Sequence, residues 1–260
     1  MEYFAGIDVG SLTCDVVILD GARRAVACDI IATGARARAA AERALNSALT
    51  KAGLQREQLG ALVATGYGRE RVPDRSRSVT EITCHARGAF HLFPHTQLVL
   101  DVGGQDCKAI GLDGGGRVVE FAMNDKCAAG TGRFFEMMAG ALEVDLDDFG
   151  ALALEAEARA PISSVCTVFA ESEVISLVAE GERVENILAG LCRAAAERVY
   201  RLAQQVGLAK RITLSGGVAK NAGFRAALEE LLGVKVEVPE EPQLVGALGA
   251  ALLGAAGETP

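Results

Sequence analysis

The chain has 260 residues, half of them hydrophobic, with 30 glycines, 6 prolines and only 5% aromatic residues. This length can bury a sizeable core, and the composition is typical of an α/β protein and excludes a disordered or fibrous chain. The formal net charge of -8 argues against non-specific binding to nucleic acid or to an anionic membrane.

We expect two halves, and the sequence of the first, residues 1–95, predicts the element order βββαβα. Short apolar runs beside glycine turns predict strands, and alanines and leucines three or four positions apart predict helices. The predicted elements include strands at Tyr3–Val9, 14–20 and Leu59–Thr65, a helix at 35–52, and a helix that begins near Thr80 and ends at Pro94.

The second half, 96–260, opens with a repeat of the first hairpin over residues 98–122 and then becomes mainly helical. The pattern of 162–173 is ambiguous because β-branched and polar residues alternate there. The further predicted elements are helices from Arg133, at 145–158, at 183–206 and at 245–253, and strands at 211–215 and 234–238.

Asp8 and Asp101 each stand near the end of an apolar strand, just before a glycine turn. Both turns lead into another strand and not into a helix, so neither is a Rossmann fingerprint or a P-loop. Such a turn can still present backbone N–H groups to phosphate oxygens. Because residues 8–11 recur as residues 101–104, we expect two hairpins that together hold a phosphate chain and its Mg²⁺.

The turns and their surroundings offer candidates for nucleotide chemistry. Asp8 and Asp101 provide the hard oxygen ligands that Mg²⁺ prefers, with turn capping as the alternative. Gln105 would orient an attacking water, or be a solvated side chain of the hairpin. Glu81 would assist the metal or the water, or be an acid favoured by a helix dipole. The residues expected to contact phosphates are Gly10, Ser11, Leu12, Thr13, Gly103, Gly104 and Gln105.

A third glycine turn follows the predicted strand 211–215 and leads into a helix. Glycine backbone at a helix N-terminus can lie against a flat ring or a ribose. The residues expected to contact this part of the nucleotide are Gly216, Gly217, Lys220 and Asn221.

Seven cysteines, an odd number without a CxxC pair, suggest neither a disulfide framework nor a zinc ribbon. Cys127 stands out because a glycine turn and a helical pattern follow it. The cysteines expected to be small core residues are Cys14, Cys28, Cys84, Cys107 and Cys192. The histidines, to which no metal is assigned, are His85, His91 and His95. No signal peptide or membrane span is recognisable, so we expect a cytoplasmic protein.

The three glycine turns, with the sequences GIDVGS, DVGGQD and SGGVAKN, resemble the phosphate-1, phosphate-2 and adenosine motifs of sugar kinases, actin and heat-shock chaperone ATPases. With TEITCHARGA, NDKCAAGTGRF, PISSVCTVFAESEVISL and PQLVGALGAAL, the chain resembles the ATPase activators of 2-hydroxyacyl-CoA dehydratases, which are related to the ATP-binding subunits of benzoyl-CoA reductase. The resemblance covers essentially the whole chain. It implies a duplicated actin-like α/β fold whose two halves surround a nucleotide cleft.

The resemblance also implies a homodimer that holds one [4Fe–4S] cluster, with Cys127 and Cys166 of each subunit as ligands. A cubane cluster needs four thiolates, which a two-fold axis supplies as two plus two. ATP would then drive one low-potential electron, received from a ferredoxin or flavodoxin, into a 2-hydroxyacyl-CoA dehydratase. Asp15 is a departure, since the family usually has a lysine there, and an acid would oppose the triphosphate charge unless it points away.

Three other functions stay open. A small-molecule kinase of the sugar-kinase type needs a substrate-binding insert and a general base, for which 260 residues leave little room. The chain could instead be the ATPase subunit of a benzoyl-CoA-type reductase. A non-enzymatic, actin-like polymerising module is the third possibility.

Overall fold

The structure is a computed structural model that describes residues 2–124, 130–162 and 167–257. The chain divides into two compact units. The first comprises Met1–Val99, Leu112–Val119 and Pro239–Pro260, and the second comprises Leu100–Gly111 and Glu120–Val238. Within the described ranges, no helix combines the length and the apolarity that crossing a membrane requires.

Each half of the chain begins with three strands, and helices alternate with shorter runs of strand after them. Besides short 3₁₀ turns, the elements in chain order are β1 (Tyr3–Val9), β2 (Thr13–Leu19), β3 (Ala25–Ala32), α1 (Ala37–Ala52), β4 (Leu59–Thr65), β5 (Arg77–Ser78), α2 (Glu81–Leu92), β6 (Leu98–Val102), β7 (Cys107–Leu112), β8 (Val118–Asn124), α3 (Gly132–Ala141), α4 (Phe149–Leu154), α5 (Thr167–Ala179), α6 (Val184–Val206), β9 (Ile212–Ser215), α7 (Ala222–Leu232), β10 (Val236–Glu237) and α8 (Val245–Ala256).

The first unit is built on a five-stranded sheet in the order β3-β2-β1-β4-β5. β1 pairs antiparallel with β2 and parallel with β4, and β2 pairs antiparallel with β3. Ile7 and Val9 of β1 pack into a core with the alanines and leucines of α1. Because strand residues alternate between the two faces of a sheet, Asp8 projects to the opposite face.

Small residues bring α8 directly onto that opposite face. A Cβ atom at Gly6 of β1 would lie 2.0 Å from the carbonyl oxygen of Ala247, so only glycine permits this approach. A Cβ atom at Gly249 would lie 1.8 Å from the carbonyl oxygen of Cys84 on α2. The glycine-interrupted apolar run near the C-terminus is therefore a helix packed against both β1 and α2.

The second sheet has the order β10-β9-β6-β7-β8, with β9 and β10 parallel. Read from β8, this order repeats that of the first sheet read from β3, so the chain contains two copies of one strand arrangement. Around it, Phe135 of α3 meets Phe149 and Phe224 edge to face, with ring centroids 5.2 and 6.0 Å apart. These contacts form part of the core of the second unit.

The repeat extends to single hydrogen bonds at the far end of each hairpin. Oδ1 of Asp20 accepts from the amides of Ala22 and Arg24, and its Oδ2 accepts from Arg24 Nε. Asp113, 93 positions later, accepts the same bonds from Gly115 and Arg117. The duplication that the sequence predicts is therefore confirmed at the level of turn geometry.

Two expectations need correction, and one ambiguous stretch is resolved. The acidic helix expected at 145–158 covers only Phe149–Leu154, because Asp145 accepts the amide of Asp147 in a turn of its own. The ambiguous stretch becomes α5 from Thr167 onward. Cys28 is exposed and not a core residue, since β3 is the outer strand of its sheet.

Candidate functional site

The first glycine turn joins β1 to β2 and is held in place by Thr33. The amide of Gly10 donates to the carbonyl oxygen of Thr13 at 2.9 Å. Thr33, just after β3, donates its hydroxyl to the carbonyl of Gly10 at 2.9 Å and its amide to the carbonyl of Leu12 at 2.8 Å. Ser11 and its neighbours in this turn are half-buried. The turn is thus a fixed feature at the end of β1.

Asp8, directly before this turn, is 7% exposed. Its Oδ2 lies 3.6 Å from Nε2 of His85, so this histidine contacts the candidate metal ligand although the sequence assigns it no role. A Cβ atom at Gly66 would lie 2.4 Å from Oδ1 of Asp8, and one at Gly246 would lie 2.1 Å from Oδ2. Both glycines therefore make room for the carboxylate.

Asp15 lies on β2 directly opposite Asp8 in the antiparallel register. Its Oδ2 accepts a hydrogen bond of 3.1 Å from Thr13, whereas its Oδ1 is buried without a hydrogen-bond partner. Burial, followed by the negative charge of Asp8, raises the pKa of Asp15 to about 8. The departure noted in the sequence thus places two buried carboxyl groups side by side.

The second glycine turn joins β6 to β7 and repeats the geometry of the first. The amide of Gly103 donates to the carbonyl oxygen of Asp106 at 3.0 Å. The amides of Gly132 and Arg133, which begin α3, donate at 2.9 Å each to the carbonyls of Gly103 and Gly104. Helix α3 therefore starts on the backbone of this turn.

Asp101 has a different environment from its counterpart Asp8. Nζ of Lys108 lies 3.3 Å from Oδ2 of Asp101 and 2.7 Å from Oδ2 of Asp106. The hydroxyl of Ser215 donates to Oδ1 of Asp101 at 2.9 Å. Lys108 is 3% exposed, so the second turn carries its own buried cation. The sequence analysis did not identify Lys108 or Ser215. An alignment of the two hairpins would have shown that Lys108 is the counterpart of Asp15 in the repeat.

The third glycine turn follows β9 and packs against the end of β6. Gly216 has a φ of 85°, and a Cβ atom there would lie 2.3 Å from the carbonyl oxygen of Val102. Oδ1 of Asn221 accepts the amide of Phe224 at 2.9 Å and so caps α7. Gly217 and Lys220 are exposed. Asn221 therefore has a structural role in addition to the predicted contact with a nucleoside.

Glu81 and Gln105 occupy the positions that the sequence indicates. Glu81 is the first residue of α2, whose cap Thr80 accepts the amide of Thr83. Glu81 precedes His85 by four residues on one helix face, and His85 reaches Asp8. Gln105 is exposed at the tip of the second turn. Their catalytic roles stay predictions.

The cysteines outside the turns are inert thiols where they are buried. Burial raises the pKa of Cys84 and of Cys192 to about 12, and it also raises the pKa of Cys14 and Cys107. The two predicted cluster ligands, at positions 127 and 166, lie outside the described residues. Inside them, no group of three or more His, Cys, Asp or Glu side chains is arranged to hold a metal.

Comparison with known proteins gives matches along nearly the whole chain. The profile of the BadF/BadG/BcrA/BcrD ATPase family matches residues 5–254. The activator of lactoyl-CoA dehydratase from Anaerotignum propionicum is 47% identical over 250 residues, 96% of each protein.

Solved structures agree with this match. The (R)-2-hydroxyglutaryl-CoA dehydratase component A from Acidaminococcus fermentans is 42% identical with a TM-score of 0.95, covering 99% of both chains. The activator of the 2-hydroxyisocaproyl-CoA dehydratase from Clostridium difficile, solved with bound ADPNP, is 42% identical with a TM-score of 0.93, covering 98% of this chain and 95% of that one.

These structures confirm the predicted duplicated, actin-like α/β fold. Sugar kinases of known structure share it at 15 to 18% identity, with TM-scores from 0.52 to 0.59. Likeness at that level shows the fold alone and gives no support to the kinase alternative.

Proposed function

Since the chain belongs to the BadF/BadG/BcrA/BcrD ATPase family and is an ATPase, we propose that it activates a separate 2-hydroxyacyl-CoA dehydratase by ATP-driven transfer of one low-potential electron. One observation carries the coupling: the amides of Gly132 and Arg133 donate to the second glycine turn. A turn that binds phosphate is thereby joined to the helix that follows Cys127.

In this proposal the three glycine turns bind ATP. Backbone N–H groups in the first and second turns, Gly10–Thr13 and Gly103–Gln105, contact the phosphates. The third turn, with Gly216, Gly217, Lys220 and Asn221, contacts the nucleoside. Each turn is anchored at a strand end by backbone hydrogen bonds or by a close glycine contact, which supports a fixed geometry for binding.

Hydrolysis converts ATP and water to ADP and phosphate, and the acidic side chains near the turns assist it. Asp8 and Asp101 are the candidate Mg²⁺ ligands, directly or through water, since carboxylate oxygens are the hard donors that this ion prefers. Gln105 orients the attacking water, and Glu81 assists the metal or the water. The Mg²⁺ ion supplies charge neutralisation at the phosphates.

For the electron carrier we propose a [4Fe–4S] cluster held by Cys127 and Cys166 from each of two subunits. When bound, such a cluster supplies a one-electron carrier of low potential. Four of the other cysteines are buried in the described core, which supports this choice because a cluster shared by two subunits needs ligands that reach the contact between them.

Exposed apolar side chains support the homodimer. Phe121 and Met123 are 48% and 41% exposed on β8, an outer strand that runs up to the segment containing Cys127. Phe169, Ile175 and Val178 are 66%, 58% and 48% exposed on α5, which directly follows Cys166. Apolar surface beside both cysteine segments is what a subunit contact around a shared cluster would cover.

The partners follow from the chemistry. One electron leaves a reduced ferredoxin or flavodoxin, is held by the activator, and passes to the dehydratase, where it begins radical dehydration. We propose a cytoplasmic location for this exchange. This chain does not need to bind the acyl-CoA, because the acyl-CoA binds to the dehydratase.

The proposal is tested by anaerobic purification followed by a coupled assay. We expect a brown protein with about four iron atoms per dimer. Mixed with a candidate dehydratase, a reduced donor and ATP, it should start dehydration of a 2-hydroxyacyl-CoA. A dimer without iron, or dehydratase turnover independent of this chain, would refute the proposal.

A further inference from the structure

The two glycine hairpins differ in charge at one equivalent position. Residues 93 positions apart are counterparts, so Asp8 matches Asp101, Gly10 matches Gly103, and Asp15 matches Lys108. The turn hydrogen bonds, from Gly10 to Thr13 and from Gly103 to Asp106, confirm this alignment. A lysine in one hairpin thus stands where the other has an aspartate.

In the second hairpin the chain supplies its own counter-charge. The ammonium group of Lys108 lies within 3.3 Å of Asp101 and 2.7 Å of Asp106, and Ser215 donates to the other oxygen of Asp101. Both oxygens of Asp101 are therefore engaged in the protein itself.

In the first hairpin the acids lack such an ammonium group at the matching place. Asp15 is 6% exposed and directly opposite Asp8, which is 7% exposed, and Oδ1 of Asp15 is buried without a hydrogen-bond partner. The basic group beside Asp8 is the imidazole of His85 at 3.6 Å, which is a cation only when protonated. Two buried carboxyl groups with an orphaned oxygen must share a proton or bind a cation from outside.

We propose that a divalent cation binds in the first hairpin with Asp8 and Asp15 as its protein ligands, and that it takes there the neutralising role of Lys108 in the second. Mg²⁺ in nucleotide sites is held by one or two carboxylates, and waters and phosphates complete its shell. The cation chosen by the first hairpin is thus the Mg²⁺ of the proposed ATPase reaction. This inference rests on the proposed Mg²⁺ dependence of the ATPase. It places the Mg²⁺ ion at Asp8 in the first hairpin and not at Asp101 in the second.

Mn²⁺ is the probe, because its EPR signal in water disappears on binding. The full-length protein is titrated with MnCl₂ alone and with ADP present, and Mg²⁺ is used as competitor. Asp15→Asn should weaken Mn²⁺ binding by at least about 10-fold in both titrations. Asp15→Lys, which copies the second hairpin, should abolish binding at this site while the protein stays folded.

Asp20→Asn is the matched control, since Asp20 lies at the far end of the same hairpin and is bonded to Arg24. It should bind Mn²⁺ like the wild type. Equal Mn²⁺ affinity of wild type, Asp15→Asn and Asp15→Lys, with circular dichroism showing all three folded, would overturn the inference. ATPase activity is measured separately. Loss of Mn²⁺ binding in Asp15→Asn supports the cation site even if the wild type hydrolyses no ATP. Mg²⁺-dependent hydrolysis by the wild type, together with an Mn²⁺ affinity of Asp15→Asn equal to that of the wild type, refutes the cation site.

Discussion

The amide nitrogen of Gly132 lies 2.9 Å from the carbonyl oxygen of Gly103, which joins the first residue of α3 to the second glycine turn. Arg133 makes the same contact with Gly104. A phosphate that displaces this turn therefore displaces the start of α3, five residues beyond Cys127. The relationship gives the proposed coupling a physical path within the second unit.

Arg133→Pro tests this path, because proline lacks the amide that bonds Gly104 and is tolerated in the first turn of a helix. We expect the variant to hydrolyse ATP but to lose the effect of ATP on the rate of iron chelation and on the EPR spectrum. For ATP to shift two conformations of the protein from a ratio of 1:99 to 99:1, it must bind the favoured conformation about 5.5 kcal/mol more tightly than the other. The contacts between the turn and α3 would have to transmit this difference.

Arg133→Ala is the control for that experiment. It keeps the amide and removes only the side chain, whose ion pair with Glu136 is 3.0 Å long. Its chelation rate should respond to ATP, and less to ADP, as in the wild type. A normal nucleotide response in Arg133→Pro would exclude the hydrogen bond from Arg133 to Gly104 as a necessary part of the path.

Cysteine variants test the cluster and the dimer together. Cys127→Ala and Cys166→Ala should each lose iron and weaken dimerisation, because the cluster would be held from both subunits. Cys192→Ala and Cys28→Ala should keep both properties. Iron analysis and gel filtration of the four proteins decide it, and an iron-replete dimeric Cys166→Ala would remove that residue as a ligand.

Phe169→Glu tests the apolar surface on α5. A charge at this 66% exposed position should raise the dimer dissociation constant without lowering the melting temperature of the monomer, since little of the side chain is buried within the chain. Leu208→Glu, at a 52% exposed position after α6, should leave the dimer intact. Sedimentation equilibrium measures both, and identical dissociation constants would place the subunit contact elsewhere.

Gln105→Ala tests the second turn in hydrolysis. Loss of the amide that orients water should lower the hydrolysis rate about 100-fold while ATP binding is retained, as expected for a group that assists proton transfer or water attack. Calorimetry with ADPNP and a phosphate-release assay separate the two effects. Wild-type turnover in this variant would show that Gln105 is a solvated hairpin side chain.

The raised pKa of Asp15 predicts a pH-dependent stability of the metal-free protein. Its contribution is complete below the ordinary value of 3.8 and is lost as the pH rises to about 8, because the folded state binds this proton more tightly than the unfolded state. Asp15→Asn should therefore become increasingly more stable than the wild type across that range, by about 1.4 kcal/mol for each pKa unit of the shift.

Asp20→Asn should show the opposite trend. Hydrogen bonds from Arg24 hold the pKa of Asp20 below its ordinary value, so this acid stabilises the protein at neutral pH and ceases to do so as the pH falls. Urea unfolding of the metal-free proteins measures both trends, between about pH 4 and pH 8.5 for Asp15 and below about pH 4 for Asp20. A constant difference between Asp15→Asn and wild type would contradict the buried, unneutralised carboxyl pair.

Local features were predictable from sequence because short-range physics determines them. Apolar alternation and glycine turns define β1 and β2. The helix α1 ends at Gly53, whose φ of 66° is the left-handed cap expected there. The recurrence of Asp8 and its turn at Asp101 predicts a duplication, which the matching strand orders confirm.

Contacts between residues distant in the chain could not be predicted from the sequence, because they depend on how the elements pack. Asp101 meets Ser215, which is 114 residues away, and Asp8 meets His85, and no periodicity encodes either pairing. Cys28 is exposed because its strand is the outer one of its sheet, which only the strand order reveals. The residues of the two hairpins can be read from the sequence. The packed sheet places Lys108 against one acid pair and buries Asp15 beside Asp8. Burial, and not residue identity, sets the need for a counter-charge.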